Sequence, residues 1–148
     1  MNYSRSKILG YTALILRLVL GAVFLYAAWP KLTQSWALFA MDIDAYQLLP
    51  QWAVVLVART LPWAELLLGL WLISGKWLRI SSLGASLLLG SFFVLLVRAY
   101  LKGMQINCGC FGSGDVISPR TLLRDGGLLA ASLILVAVAF RGASAETP

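Results

Sequence analysis

The chain has 148 residues, of which 60% are hydrophobic and 12% charged, and its formal net charge is +6. A water-soluble domain of this size could not cover so much apolar surface with so few charges, and no basic stripe alternates with aromatic residues as nucleic-acid binding would require. With no histidine and only two cysteines, the chain also lacks the ligands for His-ligated haem, the common zinc sites or an iron–sulfur cluster.

Four apolar segments are long enough to cross the hydrocarbon core of a bilayer, which takes roughly 20 helical residues. We predict transmembrane helices over about 11–29, 52–74, 77–100 and 119–140. Ser118 and Pro119 are typical of the N-cap and first residue of the last helix. The sequence therefore predicts an all-α fold, a four-helix membrane bundle forming one domain over residues 1–148, and a lipid bilayer as its surroundings.

The connection between the first two helices has a helical pattern of its own over about 33–48. Apolar residues recur there at spacings of three and four, and Asp42 lies mostly off their face. The residues of this face are Leu32, Trp36, Phe39, Ile43 and Tyr46. We expect an amphipathic helix that lies in the membrane interface or caps the bundle.

Charged residues interrupt the first two transmembrane segments. Each central charge costs on the order of 2.5–3.5 kcal/mol to insert, so these groups should be buried and paired. Small residues, Gly21 and Gly69 among them, share faces with Arg17 and Glu65 and allow the two backbones to approach closely. We predict that Glu65 pairs with Arg17 or with Lys31.

Such a pair could serve structure alone, or it could lie under the cysteine loop to move protons or bind a quinone head group. Arg59 lies off the Glu65 face by about a third of a turn. It is therefore expected to snorkel towards the membrane surface or to stack on Trp63, one turn later.

The connection over about 101–118 carries both cysteines, as Cys108-Gly109-Cys110. A disulfide between residues two apart needs a turn, for which Gly109 supplies the conformational freedom. So small a ring should be strained and easily reduced, which suits an exchanging pair better than a structural one. A two-coordinate soft-metal site and two buried apolar spectators are the other interpretations.

The following helix begins with Arg120 and Arg124 in its first two turns. Its positive N-terminal dipole and these side chains would favour a cysteine thiolate if the loop folds back onto this end.

Basic residues are distributed equally between the two sides of the predicted bundle, so their number leaves the orientation open. The side of the termini carries Arg5, Lys7, Lys76, Arg79 and Arg141, and the other carries Lys31, Arg98, Lys102, Arg120 and Arg124. Early charges often dominate, which favours a cytoplasmic N-terminus and an extracytoplasmic cysteine loop.

Taken together, these elements resemble the DoxX/MauE family of small four-helix membrane proteins. The resemblance extends from about Arg17 to Asp125. It is carried by Arg17, Gly21, Lys31, Tyr46-Gln47-Leu48-Leu49-Pro50, Leu61-Pro62-Trp63-Ala64-Glu65-Leu66, Gly69, Cys108-Gly109-Cys110-Phe111-Gly112 and Arg124-Asp125.

The resemblance implies a redox-associated protein of the bacterial inner membrane. For the MauE branch it implies a role in disulfide formation in an extracytoplasmic enzyme, methylamine dehydrogenase, whose small subunit is rich in disulfides. Other DoxX-like proteins are linked to quinone reactions with thiosulfate or to thiol stress. Many relatives lack the cysteine pair, so its presence favours the thiol-active MauE branch.

We therefore predict a membrane thiol–disulfide oxidoreductase whose cofactor is a redox-active disulfide between Cys108 and Cys110. Electrons would pass from a partner's thiols towards a membrane acceptor such as quinone, or in the reverse direction, and Cys110 is slightly favoured as the attacking residue. Arg124 would favour the thiolate, and Asp125 would orient Arg124 or receive a proton. The predicted polar interior, which could bind the quinone, consists of Arg17, Lys31 and Glu65.

Two other functions remain open at this stage. Paired thiolates suit a carrier of soft ions such as copper(I) or mercury(II), although no further thiols or methionine clusters line a second helix. The chain could also be a non-catalytic assembly subunit of a membrane redox complex. The predicted partner is an extracytoplasmic thiol protein or a redox-complex subunit, and self-association is left open.

Overall fold

A computed structural model describes residues 2–109 and 116–144, and within these ranges the chain is all-α, with no strand. Its helices are α1 (Asn2–Thr33), α2 (Trp36–Asp44), α3 (Gln51–Ser74), α4 (Leu78–Leu101) and α5 (Pro119–Ser144). By length and composition, α1, α3, α4 and α5 could each cross a membrane. The predicted fold class is therefore confirmed.

The ends of α1 differ from the sequence prediction. The helix begins at Asn2 rather than near residue 11, and it continues past Pro30 to Thr33. A proline removes one backbone donor and commonly ends or kinks a helix, but here the N–H of Gln34 donates to the carbonyl oxygen of Pro30 at 2.9 Å. This last turn of α1 contains Lys31, whose position matters for the site.

Helix α2 is shorter than the predicted 33–48. It begins after the N-cap Ser35, whose hydroxyl accepts a hydrogen bond from the N–H of Ala37 at 3.3 Å. It ends at Asp44, and Gln47 then has a φ of 52°. The left-handed conformation of Gln47 prevents the helix from continuing, and the chain then reaches the extended Pro50 before α3.

The four long helices form a ring in which α1 packs on α3 and α5, and α4 packs on α5. Glycines allow the closest approach, because a Cβ atom at Gly21 or at Gly69 would lie 3.0 Å from the other residue's carbonyl oxygen. Between α4 and α5, the hydroxyl of Ser86 donates to that of Ser132 at 3.0 Å. Small residues thus form the helix–helix contacts, as the sequence predicted.

Helices α3 and α4 contact each other more sparsely, although a tight turn joins them. Near this turn they touch, and a Cβ atom at Gly84 would meet the side chain of Leu68 at 3.0 Å. Further from the turn they diverge, and α2 packs against α3 across the open end. The space between them lies beside the cysteine loop.

Candidate functional site

The arms of the cysteine loop fold back onto the bundle as a short hairpin. Asn107 and Val116 form an antiparallel bridge, and the N–H of Ile117 donates to the carbonyl oxygen of Ile106 at 3.2 Å. At the base of the second arm, the hydroxyl of Ser118 accepts from the N–H of Thr121 at 3.3 Å and so caps α5. The loop therefore lies against the N-terminus of α5, which is the condition that the sequence argument required.

Cys108 is held in the first arm and is only 1% exposed. Its carbonyl oxygen accepts a hydrogen bond from the hydroxyl of Tyr46 at 3.1 Å. Leu96 and Ala99 of α4 belong to the same buried cluster. Cys108 therefore lies within the packed core and not on the surface of the loop.

Gly109, the next residue, has a φ of 71°. This left-handed conformation is one that glycine adopts without steric cost, as the predicted turn required. A Cβ atom here would lie 3.5 Å from Cβ of Asp42 and 3.7 Å from the ring of Phe39. Cys110, the second predicted catalytic cysteine, lies outside the described residues, as do Phe111 and Gly112, so the disulfide stays a prediction.

Arg124 connects the cysteine to a buried acid. Its Nη2 atom donates to Sγ of Cys108 at 3.8 Å, and its Nε atom donates to Oδ1 of Asp125 at 3.2 Å. Asp125 is buried, whereas about a third of the Arg124 side chain is exposed. The structure thus brings together three of the four predicted catalytic residues, because α5 begins directly after the hairpin.

Glu65 pairs with Lys31, which decides between the two partners that the sequence allowed. Nζ of Lys31 lies 2.7 Å and 2.9 Å from the two carboxylate oxygens, and both residues are at most 5% exposed. The same ammonium group lies over the rings of Phe39 and Phe92, 5.1 Å and 5.6 Å from their centroids. The pair is buried behind two aromatic rings.

Arg17 does not belong to this polar interior. It lies fourteen positions before Lys31 in α1, which is about 21 Å along a helix. Its guanidinium group packs so closely on Gly75, at the far end of α3, that a Cβ atom there would overlap Nη1. The unpaired carbonyls and negative dipole at a helix C-terminus attract a cation, and the buried Nε atom has no hydrogen-bond partner among the described residues.

Arg59 stacks on a different tryptophan from the one that the sequence suggested. Its guanidinium carbon is 4.6 Å from the ring centroid of Trp36 in α2, so it stacks on that residue rather than on Trp63. The reason is tertiary, since α2 folds back across α3 and brings Trp36 over Arg59.

A cavity of about 270 Å³ occupies the space where α3 and α4 diverge. Its wall is almost entirely apolar and includes Cys108 and Gly109 of the loop, Phe39 of α2 and Val57 of α3. Ser91 of α4 is exposed at its edge, so the cavity opens sideways between the two helices. A thiol-bearing residue therefore lines a chamber that faces the outer surface of the bundle.

A second cavity, of about 30 Å³, lies deeper in the bundle and is lined by Glu65 and Asp125. This volume is large enough to hold a water molecule. Phe92 lines both cavities and forms the partition between them. The acidic members of the two ion pairs, Glu65 and Asp125, thus border one water-sized space behind the aromatic wall.

The sequence analysis missed Asp42 as a site residue. This carboxyl group lines the larger cavity, and burial raises its pKa above the usual 3.8, while a hydrogen bond with Asn107 partly offsets that rise. Its spacing could have revealed it, because Asp42 lies three residues after Phe39 and four before Tyr46. Residues three apart lie near one another on a helix, so Asp42 and Phe39 both face the cavity, and Tyr46 follows just beyond the end of α2. The prediction that Asp42 lies mostly off this face was wrong.

Residues 9–138 match the family model described as Methylamine utilisation protein MauE. The match covers well over half of the chain, and the chain therefore belongs to the MauE family. No curated protein and no solved structure matches it. Membership identifies a multi-pass membrane protein associated with methylamine utilisation.

Proposed function

We propose that this member of the MauE family is a membrane thiol–disulfide oxidoreductase that serves an extracytoplasmic partner protein through Cys108 and Cys110. The observation that carries the proposal is the hydrogen bond from Arg124 to the sulfur of Cys108. A neighbouring guanidinium group favours the thiolate, which is the form that takes part in exchange.

Burial assigns different tasks to the two cysteines. A partner's sulfur does not reach Cys108, which is 1% exposed, so the intermolecular bond forms at Cys110. In the oxidising direction, a partner thiolate attacks the sulfur of Cys110, the Cys108–Cys110 bond breaks, and Cys108 leaves as a thiolate next to Arg124. A leaving thiolate that is stabilised in this way departs faster.

The second step releases the partner. Its other thiolate attacks the partner sulfur of the mixed disulfide, which forms the partner's disulfide and frees Cys110 as a thiolate. Two electrons have then moved from the partner to the cysteine pair, and an acceptor in the membrane must remove them before the next cycle. The same contacts would serve the reverse direction, with Cys110 attacking a partner disulfide and Cys108 resolving the mixed disulfide.

Trapping tests the proposal directly. In intact cells, Cys110 of the Cys108→Ser variant should attack a partner disulfide and remain in the mixed disulfide, since the resolving sulfur is absent, and mass spectrometry of the adduct identifies the partner. Cys110→Ser should accumulate none, because its remaining sulfur is buried. The proposal fails if neither variant forms an adduct and the double serine variant leaves the thiol content of extracytoplasmic proteins unchanged, a result that would favour an assembly subunit.

A further inference from the structure

We propose that the cavity between α3 and α4 binds the ring of a lipid-soluble quinone, which removes the electrons from the cysteine pair. This inference rests on the proposed function and names the acceptor that it leaves open. The sequence analysis placed a quinone within the buried charges of the bundle interior, whereas the cavity is a different site, on the other side of Phe92.

Three features of the cavity point to such a ring. Its volume of about 270 Å³ is near the lower end of the roughly 300–1,000 Å³ typical of small-molecule sites, which suits a head group without its isoprenoid tail. Its wall is apolar and includes the ring of Phe39, against which an aromatic head group can pack. Its opening beside the exposed Ser91 leaves the tail outside the bundle, along the surface that faces lipid.

The electron balance requires an acceptor of this class. Oxidation of the two thiols forms one S–S bond and releases two electrons and two protons. A quinone takes up both electrons and both protons and leaves as the quinol, so no other reactant is needed. Cys108 lines the cavity, and Asp42 supplies a carboxyl group in the same wall, positioned to pass a proton between sulfur and a ring oxygen.

The cavity can be filled from α3 without altering the cysteine loop. Val57 lines the cavity, whereas its neighbour Leu56 is exposed on the outer face of the helix. Val57→Trp should therefore occupy the space that the ring would take, and Leu56→Trp adds the same side chain outside it. A second pair on α4 serves if the tryptophan variant does not fold. Ser91→Phe blocks the edge of the cavity, and Val94→Phe is its control at an exposed position.

Photolabelling of the full-length protein in lipid nanodiscs tests the site. An azidoquinone should label the stretches of α3 and α4 that border the cavity, and decylubiquinone should compete for the site whereas decanol should not. Val57→Trp should weaken this competition by roughly tenfold or more, and Leu56→Trp should change it by less than about twofold.

The outcomes separate this inference from the proposed function. Labelling outside the cavity overturns the quinone site. Equal competition by decanol also overturns it, because it would show that the cavity binds an acyl chain. In the same nanodiscs, decylubiquinone added to the reduced protein should be converted to its quinol as two thiols disappear. Specific labelling without this thiol loss would show that the bound quinone does not accept the electrons and would overturn this inference, whereas the trapping of a mixed disulfide decides the proposed function separately.

Discussion

Nη2 of Arg124 lies 3.8 Å from Sγ of Cys108, although the two residues are 16 positions apart in the chain. The contact exists because the hairpin returns to the start of α5, whose cap at Ser118 fixes the first turn. A partly exposed cation and a buried sulfur are thereby joined at the boundary between the bundle and its surface.

Replacing Arg124 with Gln should slow the reaction of Cys108 with a small thiol reagent. In the Cys110→Ser background only Cys108 reacts, so the rate of modification by methyl methanethiosulfonate reports the thiolate fraction. At neutral pH we expect a decrease of about tenfold, equivalent to about 1.4 kcal/mol of lost thiolate stabilisation.

Arg120→Gln is the matched control for this measurement. Arg120 lies in the first turn of the same helix but is exposed, so its loss should change the rate by less than about twofold, as surface charges are largely screened. Equal decreases in both variants would show that the general positive charge of α5, rather than the contact with Cys108, controls the sulfur.

The Lys31–Glu65 pair should show strong energetic coupling. Glu65→Gln or Lys31→Met alone leaves a buried charge without its counter-charge, which costs about 3–5 kcal/mol. The double variant removes both charges and should lose less than the sum of the single losses, with a coupling of about 2 kcal/mol. Unfolding in detergent micelles measures each free energy.

Arg17→Gln provides the comparison for this cycle. Because Arg17 packs on Gly75 at the opposite end of the bundle, its effect should add to that of Glu65→Gln within about 0.5 kcal/mol. Marked coupling between Arg17 and Glu65 would contradict the arrangement described above.

Two glycines of the cysteine loop allow a comparison between backbone strain away from the site and backbone strain at a residue that packs on it. Gly103 and Gly109 have φ values of 67° and 71°, so alanine at either should cost about 1–2 kcal/mol. Only at Gly109 would the new methyl group meet neighbours, Asp42 and Phe39. At these distances the methyl group makes ordinary contacts, so the strain acts on the arm that holds Cys108 packed against α2. We expect Gly109→Ala to loosen this arm and raise the modification rate of Cys108 about tenfold, whereas Gly103→Ala should leave the rate unchanged.

The same rate in both alanine variants, with equal losses of thermal stability, would mean that the packing of Gly109 on α2 does not control access to the sulfur. Modification of Cys108 in the Cys110→Ser background again supplies the measurement.

Sequence patterns predicted those features that depend on one helix or on neighbouring residues. The lengths of the apolar segments predicted the four long helices, and helical spacing narrowed the partner of Glu65 to Arg17 or Lys31. The structure identifies Lys31 as the partner, because α1 extends to Thr33 and the close approach of Gly21 to Gly69 brings Lys31 level with Glu65. Segment patterns carry no information on how two helices are offset.

Contacts and cavities that depend on how separate helices pack together could not be predicted from the sequence. Arg59 stacks on Trp36 because α2 folds across α3, and the cavity exists because α3 and α4 diverge beneath that helix. Such voids arise from tertiary packing and have no signature in the spacing of residues along one chain segment. Asp42 is different, because its spacing from Phe39 and Tyr46 indicated a position near the apolar face, and the sequence analysis placed it mostly off that face.

Asp42 should give the stability of the protein a distinct dependence on pH. Burial raises its pKa in the folded state above 3.8, so the folded state favours the protonated carboxyl group. The resulting stabilisation is fully present below the unfolded pKa and is lost as the pH rises through the folded pKa. Asp42→Asn stays neutral at every pH and should be spared this loss.

The difference in unfolding temperature between Asp42→Asn and the parent should therefore grow as the pH rises from about 3.8 towards neutrality. Asn107→Ala supplies an independent check, because the hydrogen bond with Asn107 lowers the pKa of Asp42. Its removal should raise that pKa further and extend the loss of stability to higher pH. Parallel pH profiles for the parent and Asp42→Asn would show that the carboxyl group is solvated, and Asp42 would then have no role as a buried acid beside Cys108.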